Sequence, residues 1–392
     1  MSPVWRVRLF IIFLALIAGG MGYLYFTQRI TPEERAAQRQ AQLPVPPEST
    51  PVPDTTLVNI AQVLAVPYEV DAEPNASQAA ILDFIADYKP SVVTIFGSQI
   101  STESASQAIS EILNQAVPEE QPLIAVDHEG GTVQRLNGEG FTRLPTWKRV
   151  CDQTADVRQA SLATSAAELR SVGVSIVFAP VVDVADSNFV LRDRVCSGDP
   201  DLVSSAAVDY IEAFQDQSIL PVLKHYPGLG SATVDTHNQI GSVTVTEKDT
   251  RPFKVILDRY PSLGVMSAHI QVENQGLSVP CSLSSSCIGQ IFELYPEVVV
   301  FSDALEMEAA SYNPQNANNP KPLDTVAVEA LAAGTTVLVF GQDVTAEQLE
   351  SVLSRIKLEY TSSSEFRNKV NLSVAKIELL KDHYKSQTAL EN

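Results

Sequence analysis

Four segments of this chain run from apolar residues straight into groups that can donate, accept or attack. Leu123-Ile-Ala-Val-Asp127 leads through His128 and Glu129 to a glycine pair and Arg135. Leu220-Pro-Val-Leu-Lys-His225 continues to Gly228, Val265-Met-Ser-Ala-His269 ends in an imidazole, and Val298-Val-Val-Phe-Ser-Asp303 ends in a carboxylate. A short continuous apolar run that stops at polar residues reads as a strand buried on both faces. When several strands finish in this way, their polar ends gather at one rim of a sheet or barrel, where active sites are built.

The chemistry available at that rim is specific. Asp303, emerging at the end of a central strand, suits a nucleophile. An Asp there serves equally well as the cap of a following helix, here Ala304 to Ala310, so position alone leaves both roles open. Asp235-Thr-His237 follows a glycine-rich loop, Gly228 to Val234. An Asp beside a His orients the ring and raises its basicity, which makes His237 a candidate proton donor and acceptor. Lys224 and His225 supply donors suited to hydroxyl groups, Asp127 an acceptor, and Arg135 and Arg194 planar donor forks. Each of these is also compatible with a structural ion pair. The sequence contains no phosphate-cradling glycine loop, no serine nucleophile elbow and no spaced His/Glu metal set.

The elements that must position these groups follow from the apolar periodicity. Strands are expected at Val92 to Phe96, Leu123 to Asp127, Val174 to Phe178, Leu220 to Lys224, Gly264 to Ala268, Val298 to Ser302 and Thr336 to Phe340. An eighth, earlier one is expected near Leu57 to Val66. Helix-like stretches lie between them, at Ser104 to Ala116, Val157 to Ser171, Leu202 to Gln217, Ser284 to Leu294 and Asp324 to Ala333. The α/β alternation points to a (β/α)8 barrel, with a doubly wound open sheet as the alternative, because periodicity alone does not close a sheet.

Composition narrows the class. The 392 residues hold 45% hydrophobic residues, ordinary for a globular chain, and 27 Lys plus Arg against 47 Asp plus Glu, a formal charge of -20. With no basic stripe, nucleic acid is not an expected partner. Arg6 and Arg8 precede the apolar run Leu9 to Phe26. That run is long for a cleavable signal core, sufficient to span a bilayer, and not followed by a small-x-small cleavage site. The reading is an uncleaved signal anchor over residues 9–26, preferred to a secreted form with the signal removed. Residues 1–8 would be cytoplasmic and the bulk of the chain outside the membrane. Residues 27–55 are polar and then proline-rich, a spacer, and residues 56–392 form one catalytic domain. Cys151, Cys196, Cys281 and Cys287 fit no zinc spacing. They are compatible with disulfides, the last two being close enough to close a small loop, and equally with buried free thiols.

Four ordered motifs carry a family resemblance. Asp127-His-Glu-Gly-Gly-Thr-Val-Gln-Arg135 resembles the D-Q-E-G-G-x-V-Q-R of family 3 glycoside hydrolases, and Phe178-Ala-Pro-Val-Val-Asp183 resembles their F-A-P-V-x-D. Lys224-His-Tyr-Pro-Gly-Leu-Gly230 through Asp235-Thr-His237 is similar to K-H-F-P-G-H-G followed by D-S-H. Phe301-Ser-Asp-Ala-Leu-Glu-Met307 is similar to S-D-D-L-x-M. The set spans roughly residues 56 to 341 and resembles the single-domain bacterial β-N-acetylglucosaminidases (β-hexosaminidases) of that family.

The resemblance implies a TIM barrel and a retaining mechanism with Asp303 as nucleophile. It implies His237, paired with Asp235, as the general acid/base, and Asp127, Arg135, Arg194, Lys224 and His225 as the holders of the terminal sugar. Other family members take their acid/base from an additional C-terminal domain. About fifty residues follow Phe340, so the acid is expected from the barrel itself. The implied substrate is a glycan with terminal β-linked N-acetylglucosamine, expected to come from cell-wall peptidoglycan fragments, and neither metal nor organic cofactor is expected. Departures from the pattern are Leu229 and Ser231 in place of His and Asp, Thr132 in place of Arg, Ala304 in place of Asp, and Val195-Cys196 in place of Ser-Phe. They bear on loop closure and substrate preference and leave each nominated group in place. Two other readings stay open: a family 3 β-glycosidase acting on glucose or xylose units, and a membrane-tethered glycan-binding protein without turnover.

Overall fold

The computed structural model describes residues 54–70, 75–237, 239–316 and 318–390, with the backbone alone for 385–390. Eight parallel strands form its centre: β1 (Leu64–Glu69), β2 (Val92–Phe96), β3 (Leu123–Val126), β4 (Ile176–Val177), β5 (Leu220–Tyr226), β6 (Gly264–Ser267), β7 (Val299–Ser302) and β8 (Leu338–Val339). Each pairs with its sequence neighbour from β1 to β7, and β8 pairs back onto β1. A parallel bridge between Phe301 and Val337 closes the ring, with Ser302 N–H donating to Val337 O at 2.9 Å and Thr336 N–H to Val300 O at 2.8 Å. The sheet is therefore a barrel, as expected, and the open doubly wound alternative falls.

Each strand is followed by a helix that covers its outer face: Ala76–Tyr88, Thr102–Leu113, Ala155–Ser171, Pro200–Gln215, Glu247–Arg259, Ser285–Leu294, Leu323–Ala333 and Ala346–Ser362. With side chains packed both inside the barrel and against these helices, the strands have no wet face, which explains their unbroken apolar runs. Several helix starts are locally encoded. Asn75 with Gln78 and Thr345 with Gln348 form reciprocal capping boxes, satisfying amides that the first helical turn leaves without partners. The final helix, Ser364–Leu390, adds Phe366, Val370, Val374 and Ile377 to the same core.

The stretch Leu57 to Val66 is corrected. It divides into a helix, Thr55–Ala61, and the start of β1. Asp54 caps the helix by accepting the Thr56 N–H at 2.9 Å, and Leu57, Ile60 and Ala61 meet the core with i, i+3, i+4 spacing, a helical signature. Asp54 and Thr55, assigned to the spacer, thus belong to this folded unit. The strand expected at Leu123 to Asp127 stops at Val126. Beyond it a small antiparallel hairpin, His128–Gly130 with Val133–Gln134, turns the chain back. Two disulfides form, Cys151 with Cys196 and Cys281 with Cys287. The segment Leu9 to Phe26 and most of the spacer lie outside the described residues. Among the described residues no helix is long and apolar enough to cross a membrane.

Candidate active site

A cavity of about 400 Å³ opens at the carboxyl ends of the barrel strands. Asp127 enters it just past β3, Lys224 and His225 from β5, and Asp303 just past β7, while Arg135, Arg194 and His237 reach it from loops. Phe96, Phe178 and Met266 provide apolar lining. Seven of the eight nominated residues share this cavity, and the eighth, Asp235, binds the ring of one of them.

One side of the cavity is organised by a residue that the sequence reading passed over. Glu129 is buried between two cations: Arg194 grips it with Nε to Oε2 at 2.7 Å and Nη2 to Oε1 at 2.8 Å, and Lys224 Nζ lies 2.5 Å from Oε1. Burial alone would raise the Glu129 carboxyl, but Arg194 and Lys224 overcome it and hold it at about 2. Lys224 also reaches Asp127 Oδ1 at 2.9 Å. Burial opposes its charge, and the carboxylates of Asp127 and Glu129 nonetheless hold its pKa above the usual lysine value. Glu129 thereby fixes two donors that free rotation would otherwise scatter. Arg135 is looser. Its Nη2 is 3.8 Å from Asp127 Oδ2, its guanidinium lies 5.7 Å from the Phe96 ring centre, and its buried Nε has no hydrogen-bond partner, which suits a group that donates to a ligand.

His225 is oriented from behind. Its Nδ1 lies 2.8 Å from Asp183 Oδ2, and Asp183 also accepts the Leu229 N–H at 2.5 Å. A carboxylate only accepts, so Nδ1 carries the hydrogen and Nε2, 3.4 Å from Arg194 Nη2, faces the other donors. Asp183 closes the F-A-P-V-V-D motif, and its fully buried side chain positions a neighbour without reaching the cavity.

Asp303 follows β7 without starting a helix. Residues 304 to 310 are turns, so the helix-capping role falls; Asp303 Oδ1 instead accepts the adjacent Ala304 N–H at 2.9 Å. Burial works against its ionisation. The imidazoles of His225 and His269, the Ala304 N–H and the Lys224 ammonium outweigh burial, and the carboxyl is held below the usual Asp value. His269 is a further residue not nominated from sequence. Its Nε2 donates to Ala304 O at 3.0 Å, so its Nδ1 accepts from Ser282 Oγ at 2.7 Å, and it braces the backbone that carries Asp303.

His237 projects from the long loop after β5, its side chain 64% exposed. Asp235 Oδ1 accepts both its backbone N–H at 3.0 Å and its Nδ1–H at 2.7 Å. With Nδ1 engaged, Nε2 is the atom left to give or take a proton. The loop is seated at its base by Asn188, whose Nδ2 donates to Leu229 O, Gly230 O and Ala232 O at 3.0, 2.9 and 3.3 Å. Gly230 lies so close to β4's following segment that a Cβ would sit 2.1 Å from Val184 O. Leu229, which stands where the family pattern has a histidine, is buried with Ala185, Leu191, Val195, Ala232 and Ile270 in a small apolar cluster, so apolar packing helps to hold this loop.

A model of the glycosyl hydrolase family 3 N-terminal domain matches residues 55–376. The chain belongs to glycosyl hydrolase family 3. It is 31% identical over 304 residues to the beta-hexosaminidase LpqI of Mycobacterium tuberculosis, covering 73% of this chain and 74% of that one. It is 33% identical over 236 residues to a beta-hexosaminidase of Idiomarina loihiensis, covering 56% and 67%. The solved structure of M. tuberculosis LpqI superposes with a TM-score of 0.70 at 25% identity, over 83% of this chain and 93% of that one. A family 3 glycosyl hydrolase from Mycobacterium smegmatis gives 0.69 at 26%, over 83% and 96%.

The family 3 motifs thus supply a glycoside hydrolase barrel whose cavity gathers the Asp303 carboxylate, the loop-borne His237 imidazole and the donors of Arg135, Arg194, Lys224 and His225. Among the described residues no three His, Cys, Asp or Glu side chains form a metal-binding group. Glu306, also unnominated, lines the cavity from the turn after Asp303, its Oε2 accepting the Gly341 N–H at 3.0 Å. Its carboxyl is raised, chiefly by burial.

Proposed function

We propose that this chain is a retaining exo-β-N-acetylglucosaminidase, tethered by Leu9 to Phe26 outside the cytoplasmic membrane and acting on peptidoglycan fragments. The observation that carries the reading is one cavity shared by an Asp303 carboxyl held below its usual pKa and by the His237 ring, whose Nδ1 is fixed by Asp235. The beta-hexosaminidase names of the M. tuberculosis and I. loihiensis relatives support N-acetylhexosamine as the sugar. The arginines before the apolar run support the orientation across the membrane.

In this reading Asp303 attacks the anomeric carbon as the glycosidic C–O bond breaks, and His237 Nε2 gives its proton to the departing oxygen. A water then attacks the glycosyl-enzyme from the opposite side, giving its proton to His237 and releasing Asp303. Two carboxylates usually share this work; here the Asp235-His237 pair takes the place of one. Asp127, Arg135, Arg194, Lys224 and His225 hold the terminal sugar's hydroxyls so that the anomeric carbon meets Asp303.

The test is hydrolysis of a chromogenic β-N-acetylglucosaminide by the full chain, by Asp303→Ala and by His237→Ala, with the anomer first released followed by NMR. The expected result is release of the β-anomer, loss of turnover in the first variant and strong reduction in the second. Turnover only on the glucoside counterpart would move the enzyme to another β-glycosidase. Glycan binding without turnover on either compound or on muropeptides would sink the hydrolase reading.

A further inference from the structure

The inner face of β2 brings to the cavity a polar group that the proposed mechanism leaves unused. Alternate residues of a strand face the same way, and Thr94 and Phe96 both line the cavity. Thr94 is 1% exposed, and its Oγ1 has no hydrogen-bond partner. Its neighbours in register are Pro67 of β1 and Ala125 of β3, whose side chains carry no polar atom. Arg135 Nε is unpartnered in the same way, and its guanidinium lies 5.7 Å from the centre of the Phe96 ring, two residues along β2 from Thr94. Of the five buried side-chain polar atoms without a partner among the described residues, only these two belong to residues that line the cavity.

A buried hydroxyl without a partner destabilises a fold. Valine has nearly the same shape, suits a strand equally well and carries no such cost, so packing gives no reason for a threonine here. A ligand that completes the hydrogen bond does. Thr94 also stands across the barrel from the proposed nucleophile, since β2 is three strands from β7 by the shorter way round the ring, through β8 and β1. A pyranose whose anomeric carbon meets Asp303 has its C4 and C6 hydroxyls at its other end, toward the wall of β2 and β3. We propose that Thr94 Oγ1 hydrogen-bonds one of these two hydroxyls at the non-reducing end of the bound sugar and is a specificity-determining residue of the site. The inference rests on the glycosidase reading of the cavity. A hydroxyl both donates and accepts, so Thr94 complements a sugar hydroxyl in either sense. A sugar lacking that hydroxyl leaves Thr94 buried and unpaired, and a site built in this way rejects it.

The experiment measures kcat/KM of the full chain, Thr94→Val and Thr94→Ser on p-nitrophenyl β-N-acetylglucosaminide and on its 4-deoxy and 6-deoxy analogues, with urea unfolding of each protein. For Thr94→Val the expected loss on the parent glycoside is about five- to tenfold, the size of one neutral hydrogen bond. On one of the deoxy analogues, where the contact is already missing, the loss is less than about twofold. Thr94→Ser restores the hydroxyl and recovers most of what Thr94→Val loses, and Thr94→Val unfolds at no lower urea concentration than the unmutated chain. Equal losses on all three glycosides, or a lowered stability of Thr94→Val, would make the hydroxyl a structural group, and an unchanged rate on the parent glycoside would make it idle. Each of these overturns the proposal and leaves the glycosidase reading intact. If the unmutated chain cleaves none of the three, both fall together.

Discussion

His128 offers a quantitative test of how this barrel holds its site. It stands where relatives of the motif carry Gln, is fully buried, and hydrogen-bonds through Nε2 to Ser165 Oγ at 2.7 Å while Nδ1 has no partner. Burial pushes its pKa down from 6.5 to about 3. The folded chain therefore keeps this ring neutral at pH values where the unfolded chain protonates it. Because the unfolded state binds the extra proton, stability falls as pH falls below 6.5, and continues to fall until about 3. At pH 7 the effect is negligible. At pH 5 the unfolded ring lies 1.5 units below its pKa, and at about 1.4 kcal/mol per unit the cost is about 2 kcal/mol. His128→Gln removes this dependence and keeps an amide that can meet Ser165. Urea unfolding at pH 7 and pH 5 can be followed by the fluorescence of Trp147, which packs edge-on against Tyr210, whose hydroxyl donates to His128 O. The drop in stability between the two pH values should be about 2 kcal/mol smaller in the variant. His269, also buried and lowered, contributes equally to both proteins and cancels. An unchanged drop would refute the claim that His128 stays neutral in the fold.

Three further outcomes are expected. Asp235→Asn leaves the His237 ring without its anionic partner and should lower kcat about a hundredfold with little change in KM, measured on the chromogenic glycoside. Glu129→Gln leaves the buried Arg194 and Lys224 without their shared counter-charge; it should cost about 3–5 kcal/mol in denaturant unfolding and raise KM, and unchanged values for both would remove Glu129 from its organising role. Asn188→Ala deletes the clamp on three carbonyls of the His237 loop, costing about 2–3 kcal/mol. Faster proteolysis between Gly228 and Gly241, absent in the parent chain, would report the loosened loop.

Much of the site could be read from local pattern. Strand-terminal Asp127, Lys224, His225 and Asp303 were recognisable because a strand buried on both faces is apolar until it leaves the barrel. Asp235-Thr-His237 was recognisable because its hydrogen bonds are made within three residues. The residues that sequence reasoning missed act across the fold. Glu129 sat within the first motif with nothing to mark it as the counter-charge of Arg194, 65 residues away, and Asn188 holds carbonyls more than forty residues further on. Asp183 was visible as a motif residue, but its hold on His225 was not. The split of Leu57 to Val66 is legible in the i, i+3, i+4 spacing of Leu57, Ile60 and Ala61, a helical period ahead of the strand.

By itself, then, the sequence determined the repeating βα order, the strand ends where polar groups emerge, and the motifs that define family 3. Those properties depend on neighbours within a turn or a pleat, and periodicity records them directly. Tertiary structure alone decided that the sheet closes through Phe301 and Val337, that Asp303 caps no helix, and that Lys224 meets Asp127 and Glu129 in one buried network. These outcomes depend on which strand ends converge when the barrel closes, and a pairing across 97 residues leaves no trace in local spacing.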